Sequence, residues 1–140
     1  MKEQKILVAI DGSAHSSKVV DTAIKYAKLL GAKVLLVYCH RRFPTILGEP
    51  HRNNAIVSTI RESEALVAPF SDRLQKAEVD FEERLMEEPA AAVIVDIAKI
   101  QKCDLIIMGS RGLTSLEGLI VGSVTTRVLH TTPCSVLVVK

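Results

Sequence analysis

The sequence contains no tryptophan, and its five aromatics (Tyr26, Tyr38, Phe43, Phe70 and Phe81) make up only 4% of 140 residues. None is interleaved with basic residues, so the stacking and cationic surface of a nucleic-acid binder is missing and no such partner is expected. Long hydrophobic runs are also lacking. No apolar stretch approaches the roughly 18 residues that a membrane helix needs, and no membrane partner is expected. The opening Met1-Lys2-Glu3-Gln4-Lys5 offers no small-residue cleavage site, and the apolar run Ile6–Ile10 is too short for a signal core, so the expected location is the cytoplasm. The three cysteines, Cys39, Cys103 and Cys134, are odd in number and far apart. That excludes a disulfide framework and a structural zinc site, and fits a reducing compartment.

Hydrophobic residues at 48% and charged residues at 24% are the composition of a globular chain, and the length suits one domain spanning residues 1–140. The net charge of +2 hides a division: residues 1–61 hold ten Lys/Arg against four acids, residues 62–140 eight against twelve. Glycine is uneven too. Four of seven fall at Gly109, Gly112, Gly118 and Gly122.

Ile6-Leu7-Val8-Ala9-Ile10 is apolar at every position and bounded by Asp11-Gly12-Ser13, the pattern of a strand buried on both faces. Ser13 is placed to cap a helix whose apolar positions Val19, Val20, Ala23, Ile24, Ala27 and Leu30 recur at three and four, with Gly31 as its stop. Val34–Cys39 is a second doubly buried strand, giving a right-handed parallel βαβ unit. His40 to about Asn54 reads as a loop, followed by a helix from about Ala55 that breaks or kinks near Pro69. Val79–Leu85 alternates imperfectly, as an edge strand with one wet face does. Pro89 suits the first position of a helix carrying Val93, Ile94, Ile97 and Ala98 inward. Leu105–Met108 is a further buried strand, a last helix runs from about Ser123 to His130, and Val136–Val139 is the final strand.

These elements predict an α/β fold, a five-stranded doubly wound parallel sheet in the order 3-2-1-4-5. Strand order then reverses between strands 1 and 4, and the crevice beyond their carboxyl ends is the expected ligand site. Asp11-Gly12-Ser13 lies at one lip and Gly109-Ser110-Arg111-Gly112 at the other. Gly109 and Gly112 allow close backbone approach to an oxyanion, and Gly122-Ser123 opens a helix whose first amides are unsatisfied. With Arg111 as a cation, these make a phosphate cradle that has no Walker lysine. The alternative is a surface loop that needs glycine only for its turns.

Asp11, Ser13 and His15 supply the residue types of a hydrolase triad, but neighbours two apart at a strand end do not converge. Asp11 fits better as a ligand to a Mg²⁺ carried by phosphates. Cys39 and Cys134 read as small core residues, and His130 as a favourable charge at a helix end. No positioned nucleophile or general base stands out, so any ATP hydrolysis is expected to be slow or partner-dependent.

The pattern G-x2-G-x9-G-[ST] from Gly109 to Ser123, the start Ile6–Ser13, the segment Cys103–Gly112 and the tail Arg127–Val139 together resemble the universal stress proteins, in their nucleotide-binding branch. The resemblance runs nearly end to end. It implies a Rossmann-like fold of the adenine nucleotide alpha hydrolase type, with ATP in the crevice and a regulatory role in stress response. By position it places Ala9, Ile10 and Asp11 along the adenosine and the Tyr38 backbone at adenine. Met108, Gly109, Ser110, Arg111 and Gly112 fall at ribose and phosphate; Gly122, Ser123, Val124 and Thr125 hold phosphates. A slow or partner-activated ATPase, a nucleotide-free interaction module, or a binder of another nucleotide in the same crevice are the alternatives, and an unknown protein partner is expected. One departure is Glu87, where the family commonly has glycine two residues before the proline at 89. The charged residues His40, Arg41, Arg42, His51 and Arg52 fall in the family's variable loop, and the resemblance assigns them no role. The last strand is an apolar edge, and an exposed edge of that kind is normally covered. Pairing with a second copy through Val136, Leu137, Val138 and Val139 is expected, giving a homodimer.

Overall fold

A computed structural model describes residues 2–110 and 121–140. The elements are β1 (Lys5–Ile10), α1 (Ser16–Leu30), β2 (Lys33–His40), α2 (His51–Lys76), β3 (Phe81–Glu87), α3 (Ala90–Ile100), β4 (Leu105–Gly109), α4 (Ser123–Thr131) and β5 (Ser135–Val139). All strand pairs are parallel, in the order β3-β2-β1-β4-β5 expected from the sequence.

Strand alternation divides the core into two layers. Ile6, Val8, Ile10, Val34, Leu36 and Ile107 face α1 and α2, where Val19, Val20, Val67 and Leu74 meet them. Leu7, Leu35, Val37, Ile106 and Met108 face the other way, against Ile94, Ile97 and Ala98 of α3 and Val128 of α4. Ile6, Leu7 and Val8 in β1 have no exposed surface. Burying each side chain of this size contributes about 1.5–3 kcal/mol, so the central strands anchor the crevice at their carboxyl ends.

Three helices leave toward the next strand through the same turn. Ala32 N donates to Ala27 O, Val79 N to Leu74 O and Cys103 N to Ala98 O, at 2.9, 3.1 and 2.9 Å. The residue before each donor is left-handed: Gly31, Glu78 and Lys102, with φ of 61°, 59° and 55°. This is the Schellman closure. It explains why β3 starts at Phe81, later than the alternation suggests: Val79 is spent on closing α2, and pairing with β2 begins at Val34↔Phe81.

Other local expectations are corrected. α2 begins at His51, inside the stretch read as loop, and continues through Pro69 without a break. Pro69 denies a donor only to Ala65, and both residues are exposed, so water can satisfy that carbonyl while buried Val67 and Leu74 hold the opposite face. Pro89 stands one residue before α3, at its N-cap. Ser13 does not cap α1 through its side chain. The boundary residue is His15, and the Ser13 carbonyl accepts from Ser16 N at 3.0 Å. The last strand begins one residue earlier than expected, at Ser135, with Val136–Val138 half-buried at the sheet edge.

Candidate functional site

The carboxyl ends of β1, β2 and β4 open into a cavity of about 750 Å³, roofed by α2 and flanked by the start of α4. That volume lies in the usual range for small-molecule sites, about 300–1,000 Å³. Of the residues singled out by sequence, Ala9, Ile10, Asp11, Tyr38, Met108 and Gly109 line it, as do Gly122, Ser123, Val124 and Thr125. Ser110 does not. It stands behind the wall, its amide on Val139 O at 2.8 Å and its carbonyl taking Gly122 N at 2.6 Å. Arg111 and Gly112 lie outside the described residues.

The α1 lip is built by Asp11 and Gly12. Asp11 Oδ1 accepts from Ser13 N at 2.9 Å and from Ser16 Oγ at 3.1 Å, while Ser16 Oγ in turn accepts from Asp11 N. Gly12 has φ +82°, a backbone conformation that favours glycine, and a Cβ there would sit 2.6 Å from Leu66 Cδ1 of α2, so that side chain would have to shift. Ser13 Oγ is buried in the cavity wall with no hydrogen-bond partner among the described residues. His15 Nε2 donates to Val139 O at 2.7 Å, since a carbonyl can only accept. Asp11 is held by Ser13 N and Ser16 Oγ, His15 by Val139 O, and Ser13 Oγ by nothing among the described residues, so the three side chains form no triad.

At the α4 lip, Gly122 is an extended N-cap with no side-chain capping bond. The Thr125 hydroxyl donates to Gly109 O at 2.7 Å, pinning the helix to the end of β4. The amides of Ser123, Val124 and Thr125 have no acceptor among the described residues. They form the first turn of a helix, where unsatisfied N–H groups and the helix dipole favour an anion.

The opposite end, at β2, α2 and the start of α3, is rich in acceptors. Glu62 and Glu88 line it, beside Cys39, His40, Arg41, Thr59 and Ser63. Burial pushes the Cys39 thiol up to about 11, with the charge of Glu88 adding to it. Burial, and then the Asp11 carboxylate, also raise Tyr38, so both side chains are neutral at physiological pH. Cys39 is thus no nucleophile. Ser63 Oγ is occupied by Thr59 O at 2.7 Å. His40 and Arg41, left without a role by the sequence, line the cavity, whereas Arg52 turns to Pro44 O at 3.0 Å.

Sequence reasoning missed the α2 contribution, Thr59, Glu62, Ser63 and Leu66. The available signal was Thr59 and Ser63, four apart, standing on the same helix face as Val67 and Leu74 yet polar. Both are buried.

The universal stress protein family model matches residues 3–140. A universal stress protein from Thermus aquaticus is 34% identical over 137 residues, covering 96% of this chain and 97% of that protein. Among solved structures, the protein MJ0577 aligns with a TM-score of 0.88 at 25% identity, covering 100% of this chain and 97% of that one. A universal stress protein solved in complex with cAMP aligns with a TM-score of 0.77 at 25% identity, over 98% of this chain and 97% of that one. Fold, family model and relatives agree, and the chain belongs to the universal stress protein family.

Proposed function

We propose that this chain binds an adenine nucleotide, ATP, in the crevice between β1 and β4 and acts as a nucleotide-dependent regulatory protein. The observation that carries the reading is the first turn of α4, three amides with no acceptor among the described residues, at a helix N-terminus that lines a cavity of nucleotide size. The Ser13 hydroxyl at the α1 lip, buried and without a partner among the described residues, adds a donor that such a ligand would satisfy. A relative solved with cAMP supports an adenine nucleotide in this place and keeps a cyclic nucleotide as the second reading.

In this reading the amides of Ser123, Val124 and Thr125 take phosphate oxygens, and Arg111 and Gly112 complete the cradle. Ala9, Ile10 and Asp11 border the adenosine. Asp11 keeps one carboxylate oxygen for Mg²⁺ brought in by the phosphates, since its other oxygen already accepts twice. Among the described residues no group of three or more His, Cys, Asp or Glu is arranged to hold a metal alone, so the ion would arrive with the nucleotide. Hydrolysis, if it occurs, is slow: His15 is committed to Val139 O, and Asp11 to its own turn.

The whole chain works as one domain, and two copies pair through β5, whose half-buried Val136, Leu137 and Val138 lie at the open edge of the sheet. Among the described residues no helix is long and apolar enough to cross a membrane, in keeping with action in the cytoplasm on an unnamed protein partner.

The test is to denature freshly purified protein and identify released nucleotide by mass spectrometry, with ATP and cAMP titrations of the emptied protein. Recovery or binding of ATP supports the reading; cAMP alone favours the second. Neither one binding would overturn both.

A further inference from the structure

The end of the cavity remote from α4 holds two polar side chains that the phosphate cradle does not use. His40 and Thr59 are each 5% exposed, and both line the cavity. The His40 ring is held in place. Its Nδ1 lies 2.8 Å from the Arg41 carbonyl, its ring packs 4.8 Å from that of Phe43, and its own carbonyl takes Glu88 N at 2.9 Å. As the last residue of β2, it is also set by the pairing His40↔Glu87.

The Arg41 carbonyl can only accept, so His40 Nδ1 carries the proton. In the neutral ring that leaves Nε2 as a lone-pair acceptor, and it has no partner among the described residues. Thr59 Oγ1 has none there either, although Ser63 Oγ is engaged by the Thr59 carbonyl. Arg41, which also lines this end, is paired with Glu62 at 3.7 Å, so His40 Nε2, Thr59 Oγ1 and the Glu88 carboxylate are what this end offers to whatever fills it.

We infer that His40 is a specificity residue that reads the base: its Nε2 accepts from the exocyclic amino group of a 6-aminopurine and rejects a 6-oxopurine. The inference rests on the nucleotide reading above, with the phosphates at α4 and the base therefore at β2. A 6-oxo group would turn an oxygen lone pair against the Nε2 lone pair, leaving two buried acceptors facing each other. An unsubstituted purine would leave Nε2 desolvated and unpaired. Thr59 Oγ1 can donate or accept, so it tolerates either base and leaves the discrimination to His40.

The experiment is calorimetric titration of ATP, ITP and purine riboside triphosphate into nucleotide-free protein at pH 8, for the wild type and His40→Phe. The wild type is expected to bind ATP about 10- to 100-fold more tightly than ITP, with the unsubstituted purine between them. His40→Phe keeps the ring that packs on Phe43 and should bring the three affinities within about threefold, by weakening ATP and not by tightening all three. Equal binding of ATP and ITP by the wild type would overturn the assignment while leaving the nucleotide reading intact. So would a preference that survives in His40→Phe. If His40→Phe does not fold, the three wild-type affinities decide, because only an acceptor facing the 6-position ranks amino above hydrogen above oxo. If none of the three triphosphates binds, the nucleotide reading falls and this assignment with it.

Discussion

The two ends of the cavity are built from opposite hydrogen-bonding groups. At α4 the wall is backbone: amides of Ser123, Val124 and Thr125 with no acceptor among the described residues, all donors. At β2 and α2 the wall is side chains: His40, Thr59 and Glu88, mostly acceptors, with Arg41 and Glu62 paired to each other at 3.7 Å. A donor end made of backbone cannot be altered by ordinary substitution, only blocked. An acceptor end made of side chains can be retuned one residue at a time. The first suits a ligand group that never varies, such as phosphate, and the second a group that must be told apart from close relatives.

The largest effect should come from blocking the donor end. Gly122→Val places a branched side chain at the N-cap of α4 and should weaken ATP binding about 100-fold or more, measured by calorimetry. The extended backbone of Gly122, φ −68° and ψ 164°, admits valine, so the melting temperature should change little. Affinity kept in Gly122→Val would show that the phosphates lie elsewhere.

Gly12→Ala tests the joint between the two ends. With φ at +82° and Leu66 Cδ1 2.6 Å from the new carbon, it should cost about 1–3 kcal/mol in denaturant unfolding. Because Leu66, which must shift, lines the cavity, ATP affinity should fall as well. Thr59→Val changes only the acceptor end, near isosterically, and should weaken ATP by about three- to tenfold.

Two thiols make the comparison without mutation. Cys39 and Cys103 are both pushed up to about 11 by burial, but only Cys39 lines the cavity. Both should alkylate slowly at pH 8 in folded protein, and ATP should slow Cys39 further while leaving Cys103 unchanged. A raised thiol favours the folded state while both states are protonated. That stability should be lost as pH climbs from the ordinary thiol value near 9 toward 11. The smallest effect is remote from both ends. Lys102 is left-handed at φ 55°, so Lys102→Gly should raise unfolding stability by about 0.5–1 kcal/mol with no change in affinity.

The donor end was readable in the sequence and the acceptor end was not, for a physical reason. β1, β2 and β4 are apolar at nearly every position because both faces are covered, and such runs carry their own strand assignment and the switch point between β1 and β4. The glycines beside them mark where backbone could approach a ligand closely. The residues of α2 carry no such mark. Thr59 and Ser63 look like a solvated helix face, since polar residues on a helix usually are, and only the roofing of the cavity makes them inward. Pro69 compounded this by suggesting a break in a helix that runs on unbroken from His51 to Lys76. By sequence His40 reads as the first residue of a loop, whereas β2 runs through it. What no spacing could reveal was the hydrogen bond to Arg41 O that sets its tautomer.

The most direct measurement is a ¹H–¹⁵N correlation titration of the nucleotide-free protein, with adenosine first and ATP second. Adenosine should shift the amides around Tyr38–His40 and leave Ser123, Val124 and Thr125 in place; ATP should then move those three strongly downfield. Saturating ATP that leaves the α4 amides unmoved would contradict the polarised cavity.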